Sequence, residues 1–355
     1  MIEGGKPLSG RVSVGGNKNG ALPIIAACLL TDQECIVENV PRIRDTEVMA
    51  ELVKSVGAEV EWIEQNTLRI KAAGEIVPEI NRALSVQIRA SILLAGPLLA
   101  RCGSVLVPPP GGDVIGRRRI DTHLHAFAAL GAEIEVERDF MLRAPNGLIG
   151  DRFFMDEPSV TATENAVMAA VLAKGDTTLI NAACEPHVQD LCRFLVSMGA
   201  EIDGIGSNVL CVHGRASLGG ARHRIGPDHI EVASFIGLAA VTRGEIVIDD
   251  VEPEDLHPVL HGFERLGVRI ELDGRQIHGQ KVGVESTHDT RLCGAHRGAH
   301  CGVWWPWTDR QARRRGRAAR PSTQLYAATP LGRAVRAERG HTPSLLFGVD
   351  CLGLA

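Results

Sequence analysis

Aromatic residues are scarce in this chain: one Tyr, four Trp and eight Phe among 355 residues. Its core must therefore be built from aliphatic side chains. No apolar run is long enough to cross a bilayer. The longest apolar helix candidate, 88–100, contains Arg89, Gly96 and Pro97 and is too short for a membrane span. The nine cysteines lack paired spacing and no signal peptide precedes them. They read as reduced thiols of a cytoplasmic protein. Neither the P-loop nor the Gly-x-Gly-x-x-Gly fingerprint occurs, so the nucleotide-cofactor folds are not indicated and no cofactor is expected. No serine sits in a nucleophile elbow. Cys293, His296, His300 and Cys301 are crowded together in an atypical region, which argues against a zinc site.

Lysine is absent from residues 291–355, which hold eleven Arg against three acids, a net charge of +8. The first 290 residues therefore carry −13 against the overall −5, and nothing in them suggests a nucleic-acid surface. Three of the four Trp, Trp304, Trp305 and Trp307, also fall in the basic segment.

What the chain has in abundance is internal repetition. The marks Val56-Gly57-Ala58-Glu59-Val60, Leu130-Gly131-Ala132-Glu133-Ile134, Met198-Gly199-Ala200-Glu201-Ile202 and Leu266-Gly267-Val268-Arg269-Ile270 place their glycines 74, 68 and 68 residues apart. An amphipathic helical pattern precedes each mark. A β-branched strand precedes that, near 35–40, 104–107, 177–181 and 245–249, and an aliphatic helix comes first, near 21–30, 88–100, 164–173 and 233–242. Fixed-period similarity outranks any single local signal. Each Gly past a helix end permits a left-handed cap. Asp45 is expected to cap the helix that ends at Gly57, and Thr161 with Glu164 has capping-box spacing. Alternating helices and strands around shared apolar faces define an α/β or α+β architecture.

Two polar loops stand out. Residues 108–122, Pro-Pro-Pro-Gly-Gly-Asp-Val-Ile-Gly-Arg-Arg-Arg-Ile-Asp-Thr, place Asp113 on a glycine loop four residues before Arg117, Arg118 and Arg119. Guanidinium groups bind phosphate and carboxylate with two prongs, so the loop suits an anionic substrate. The second loop, Gly15-Gly16-Asn17-Lys18-Asn19-Gly20, opens the first helix. Free N–H groups there, with Lys18, would favour an anion. His123 and His125 read as structural, and Glu157, Glu164 and Glu185 as surface or capping residues.

The segments Lys18-Asn19-Gly20-Ala21-Leu22-Pro23, Arg89-Ala90-Ser91 with Gly96-Pro97-Leu98, Pro110-Gly111-Gly112-Asp113-x-Ile115-Gly116-x-Arg118 and Pro227-Asp228-His229-Ile230-Glu231 occur in this order. Together they resemble the UDP-N-acetylglucosamine 1-carboxyvinyltransferases, the branch of the enolpyruvyl transferase family that starts peptidoglycan precursor synthesis. The resemblance implies a two-domain inverse α/β barrel built from βαβαββ repeats. Residues 1–20 and 230–280 would form a partial second domain, and 21–229 the first domain with catalytic loop 108–122. It implies phosphoenolpyruvate and UDP-N-acetylglucosamine as substrates, with no nucleic acid and no membrane. By position, Asp113 would be the proton donor, with Lys18 and Arg118 catalytic at phosphoenolpyruvate and Asn19 beside them. Arg89, Arg118, Asp121, Ser159, Val160 and Thr161 would serve the sugar nucleotide.

The family needs six repeats and four marks are readable. Residues 281–355 leave the pattern for Arg-Ala-Gly-rich text of the kind a high-GC frame shifted by one base produces, so an aberrant terminus is expected there. The alternative function is a sugar-nucleotide binder that does not turn over. Asp113 also departs from most of the family, which has cysteine at that position. Fosfomycin alkylates that thiol, so the drug is predicted to leave this chain unmodified. An unshifted intact mass after incubation checks this, and an adduct at residue 113 contradicts it.

Overall fold

The computed structural model describes residues 5–112 and 119–279. These lie in one compact unit, Met1–His288; the other unit, Asp289–Ala355, is outside the described residues. Asp113, Arg117 and Arg118 also lie outside them, as do Cys293, His296, His300 and Cys301.

The chain opens with strand β1 (Ser9–Ser13), and four similar units follow. The first is α1 (Lys18–Ala27), β2 (Glu34–Glu38), α2 (Arg44–Ser55), β3 (Glu59–Glu64) and β4 (Thr67–Lys71). After the single turn α3 (Arg82–Ser85) comes the second: a 3₁₀ segment Arg89–Leu94 leading into α4 (Ala95–Cys102), then β5 (Ser104–Val107), α5 (Asp121–Ala129), β6 (Glu133–Val136) and β7 (Phe140–Arg143). Strand β8 (Arg152–Phe154) leads into the third, made of α6 (Val160–Ala170), β9 (Asp176–Ile180), α7 (Pro186–Ser197), β10 (Glu201–Asp203) and β11 (Val209–His213). Strand β12 (Arg222–Arg224) leads into the fourth, with α8 (His229–Thr242), β13 (Glu245–Asp249), α9 (His257–Arg265), β14 (Ile270–Asp273) and β15 (Gln276–Gly279).

The repeat read from the sequence is thus the repeat of the fold. Gly57, Gly131, Gly199 and Gly267, one at each mark, all have positive φ, between +77° and +109°. A residue with a Cβ would be strained there, which is why the mark carries glycine.

Each unit folds its own sheet. The strand orders are β12-β2-β4-β3, β5-β7-β6, β10-β11-β9-β8 and β1-β13-β15-β14. In the four-stranded sheets a parallel partner flanks the unit's first strand: β12 pairs with β2, β8 with β9 and β1 with β13. In the second unit that partner shrinks to one parallel bridge, Glu79 to Leu106. The hairpin of each unit supplies the antiparallel strands. Among the described residues the sheets remain separate, so the inverse barrel is one of layers. Helices lie inside and sheets outside, with no closed hydrogen-bonded ring.

Helix composition decides which helices go inside. Residues 20–27 of α1 and 162–170 of α6 are buried on every side, and Ser91–Leu99 likewise. These segments are mostly aliphatic, as a helix buried on every side tends to be, with Ser91, Thr163, Glu164 and Asn165 as buried polar exceptions. Helices α2 and α7 are amphipathic and bury only one face; α2 buries Val48, Met49, Leu52 and Val53. The resulting core is aliphatic, with Phe127 and Phe194 its only fully buried aromatic side chains among the described residues. Each such aliphatic side chain stabilises the fold by roughly 1.5–3 kcal/mol.

The fourth unit has its own small core of Val14, Val232, Ile236, Ile248, Val251, Leu256 and Ile277. Helix α8 is as apolar as α1, yet only Val232, Ile236 and Ala239 of it are buried. Val241 stays 81% exposed.

Local expectations fared unevenly. Asp45 does not cap α2; Ile43 precedes the helix, and the Thr46 hydroxyl receives the Ile43 N–H at 3.3 Å. Thr161 and Glu164 make no capping box, because Ser159 is the cap and its Oγ accepts from Ala162 N. Helix 88–100 is a 3₁₀ segment followed by an α-helix rather than one α-helix.

Gly96, near the start of α4, approaches α6 closely. A Cβ there would lie 2.6 Å from the Asn165 carbonyl oxygen and 2.8 Å from Asn165 Oδ1. Gly96→Ala should therefore cost about 1–3 kcal/mol by overpacking. The check is urea unfolding, with a lower midpoint at unchanged slope expected.

Candidate functional site

A cleft of about 400 Å³ opens where α1, α2, the 3₁₀ segment, α6 and α7 converge. Lys18, Asn19 and Leu22 come from α1, Asp45 from α2, and Gln87, Ile88, Arg89, Ala90 and Leu93 from the 3₁₀ region. Val160, Thr161 and Glu164 come from α6, His187 from α7, and Gly112 from the edge of the polar loop. Five of the residues expected from the sequence therefore meet here: Lys18, Asn19, Arg89, Val160 and Thr161. Ser159 stands beside them as the α6 cap. Asp121 is not part of the lining; it starts α5 and pairs with Arg119, whose Nε donates to Asp121 Oδ2 at 2.6 Å.

The expectation of free backbone N–H groups at the start of α1 is corrected. Asn17 Oδ1 accepts from Asn19 N at 2.8 Å and Gly20 N at 3.1 Å, and Asn17 N donates to Gly226 O at 2.8 Å. The cation at this corner is the Lys18 side chain. It lies 3.3 Å from Asp45, and both side chains are about 40% exposed. Such a pair is worth at most about 1 kcal/mol. The Lys18 ammonium is therefore only weakly committed to Asp45.

Arg89 lies against both described ends of the polar loop. Gly112, at φ +91°, leaves no room for a Cβ, which would stand 2.9 Å from Arg89 N. Across the gap, the Arg89 guanidinium donates to Arg119 O at 2.9 Å. Gly111 N donates to Ser85 O at 3.1 Å, holding the entry against the turn before Arg89.

Behind the cleft lies a buried polar network that the sequence did not reveal. Asn165 receives Gly96 N on Oδ1 at 2.8 Å and donates from Nδ2 to Ile92 O at 2.9 Å. Backbone partners of opposite kind fix the orientation of the amide. Its remaining N–H points to His123 Nδ1 at 2.9 Å, so that nitrogen is an acceptor. Burial, and then the charge of Arg89, push His123 down to about 3, so the ring is neutral. Its proton is on Nε2, which donates to Thr161 Oγ1 at 3.1 Å. The Thr161 hydroxyl proton is thereby left for an acceptor in the cleft. His123 is structural, as read from the sequence.

Glu164 and His187 were missed. Glu164 is 1% exposed, not a surface residue, and its Oε1 has no hydrogen-bond partner. Burial, reinforced by Glu185, pushes its carboxyl well above the usual range. His187 stacks on His229 at 5.9 Å, and its Nδ1 also lacks a partner. Burial and His229 lower it to about 4. No spacing in the sequence betrays either residue, because both are buried by helices distant along the chain.

With this geometry in view, the relatives can be compared. Residues 2–296 match the family of EPSP synthase (3-phosphoshikimate 1-carboxyvinyltransferase). The chain belongs to this family. More narrowly, it is 58% identical over 277 residues to a UDP-N-acetylglucosamine 1-carboxyvinyltransferase of Bradyrhizobium diazoefficiens, covering 78% of this chain and 64% of the relative. It is 51% identical to that of Treponema denticola, with 78% and 65% covered. The chain thus spans just under two thirds of these relatives' length. Among solved structures, the enolpyruvyl transferase NikO from Streptomyces tendae has the same fold, with a TM-score of 0.68 at 23% identity over 79% of this chain and 67% of that one. EPSP synthase from Acinetobacter baumannii follows at 0.63 and 18%, over 79% and 66%. No helix among the described residues is long and apolar enough to cross a membrane.

The low folded-state values of His123 and His187 make stability depend on pH. Between about 6.5 and the folded value, the unfolded chain binds protons that the folded chain refuses. Stability from these rings is therefore present above pH 6.5 and lost as pH falls, by up to about 1.4 kcal/mol per pH unit for each ring. Glu164, with its raised carboxyl, works in the opposite direction above 4.5. The difference between wild type and His123→Gln isolates one ring. Urea midpoints should fall less steeply with acid in the variant.

Proposed function

We propose that this chain transfers the enolpyruvyl group of phosphoenolpyruvate to the 3-hydroxyl of UDP-N-acetylglucosamine, releasing phosphate. The observation that carries the reading is the cleft itself. Lys18 and Asn19 at one wall, Arg89 at another and Val160 with Thr161 at a third converge on one space of about 400 Å³. Relatives about half identical or better, named for this reaction, support the choice of substrates.

In this reading the sugar oxygen attacks C2 of phosphoenolpyruvate while C3 takes a proton from Asp113. A base accepts the hydroxyl proton. The C2–O bond to phosphate then breaks and C3 gives its proton back, leaving the enol ether and inorganic phosphate. Lys18 and Arg118 bear on the phosphate and carboxylate, whose charge grows in the tetrahedral intermediate. Asn19 positions the sugar beside them. Arg89, with Arg118, Asp121, Ser159, Val160 and Thr161, holds the sugar nucleotide. Thr161 offers its hydroxyl proton to the bound nucleotide. In the same reading residues 1–20 with 230–280 form the partial second domain. The chain acts in the cytoplasm on these two small molecules.

Phosphate release from the two substrates together, and from neither alone, is the expected result. Asp113→Asn should abolish release and keep sugar-nucleotide binding nearly intact. Binding without release by the wild type would overturn the proposal in favour of a non-catalytic binder.

A further inference from the structure

The cleft has cations for charged groups, Lys18 and Arg89, but its deepest polar residue is not one of them. Glu164 lies in the second turn of α6, 1% exposed, and still forms part of the cleft wall. Its Oε1 has no partner among the described residues. A buried carboxyl with an unused oxygen costs stability unless something completes it. Because Glu164 belongs to the cleft wall, a ligand seated there is placed to supply the missing hydrogen bond.

The kind of ligand group follows from charge. Glu164 is shut away from water, and Glu185 adds the repulsion of a like charge. Both conditions favour the neutral acid, which carries an O–H donor as well as an acceptor oxygen. A neutral donor at the base of a cleft does not need a phosphate or a carboxylate, which the cations at the walls already suit. His187, the second buried side chain of this cleft with an unpartnered atom, is neutral as well. The floor is therefore polar but uncharged, between a cationic corner at Lys18 and a donor hydroxyl at Thr161.

We propose that Glu164 is a specificity residue that donates a hydrogen bond to an uncharged acceptor on the substrate, the carbonyl oxygen of the sugar's acetamido group. This rests on the sugar-nucleotide reading given above. Glu164 takes no part in bond making. It discriminates between sugars that carry the amide and sugars that do not, because the latter leave its donor unpaired in a dry site.

The test is calorimetric titration of the full chain with UDP-N-acetylglucosamine and with UDP-glucose, which has no acetamido group. Wild type should bind the amide-bearing nucleotide more tightly. Glu164→Leu should weaken that binding about tenfold and leave UDP-glucose nearly unchanged, and Glu164→Gln, which keeps a neutral donor, should recover it to within about threefold of wild type. An infrared difference between wild type and Glu164→Gln near neutral pH should contain the C=O stretch of a protonated carboxyl. Equal losses on both nucleotides, no loss in Glu164→Leu, or an ionised carboxylate band at residue 164 would each overturn the assignment. Failure of the wild type to bind either nucleotide would instead overturn the sugar-nucleotide reading, and this subsite with it.

Discussion

The site depends on one buried amide. Asn165 holds the N–H of Gly96, the carbonyl of Ile92 and the ring of His123 at once. It thereby joins α4, the 3₁₀ segment that carries Arg89, α5 and α6. Each of these bonds is made away from water, where an unmatched partner costs about 1–3 kcal/mol. The amide cannot turn over without setting donor against donor. Its orientation therefore passes through His123 to the hydroxyl of Thr161 at the cleft. The position of Arg89, which lies against both described ends of the polar loop, depends on the same junction.

Around that junction the fold is assembled by repetition. Three units bury their aliphatic helices together and turn their sheets outward, and the cleft lies where the starts of α1 and α6 meet the 3₁₀ segment. Two passages connect this lobe to the fourth unit. They run side by side through Gly16 and Pro227, and Asn17 reaches His229 at 3.1 Å. The fourth unit repeats the topology without companions among the described residues. Helix α8, as apolar as α1, leaves Val241 exposed. Exposed apolar surface of this kind invites association.

Much of this was legible in the chain. The glycine marks fixed the unit length, and the strands at 104–107 and 245–249 fall where the β-branched runs put them. Lys18, Asn19, Arg89, Val160 and Thr161 were named from sequence and share one cleft. What stayed hidden depends on distant contacts. Asp45 resembled a helix cap because caps are local, but its carboxylate is 3.3 Å from Lys18, 27 positions earlier in the chain. Glu164 looked like half of a capping box, and only the packing of α6 against α4, α5 and α7 makes it a buried acid. Asn17 silences the helix N-terminus that its glycine neighbours had suggested was open. Short-range chemistry can be read from spacing, whereas burial requires the whole lobe.

The central claim is that this one cleft receives the sugar nucleotide, with its uncharged sugar toward Glu164 and its charged groups toward Arg89 and Thr161. A crystal structure of the full chain with UDP-N-acetylglucosamine tests it most directly. The account predicts ligand density between α1, the 3₁₀ segment and α6, with an acceptor atom within hydrogen-bonding distance of Thr161 Oγ1. Density at any other surface, with this cleft filled only by solvent, would contradict it.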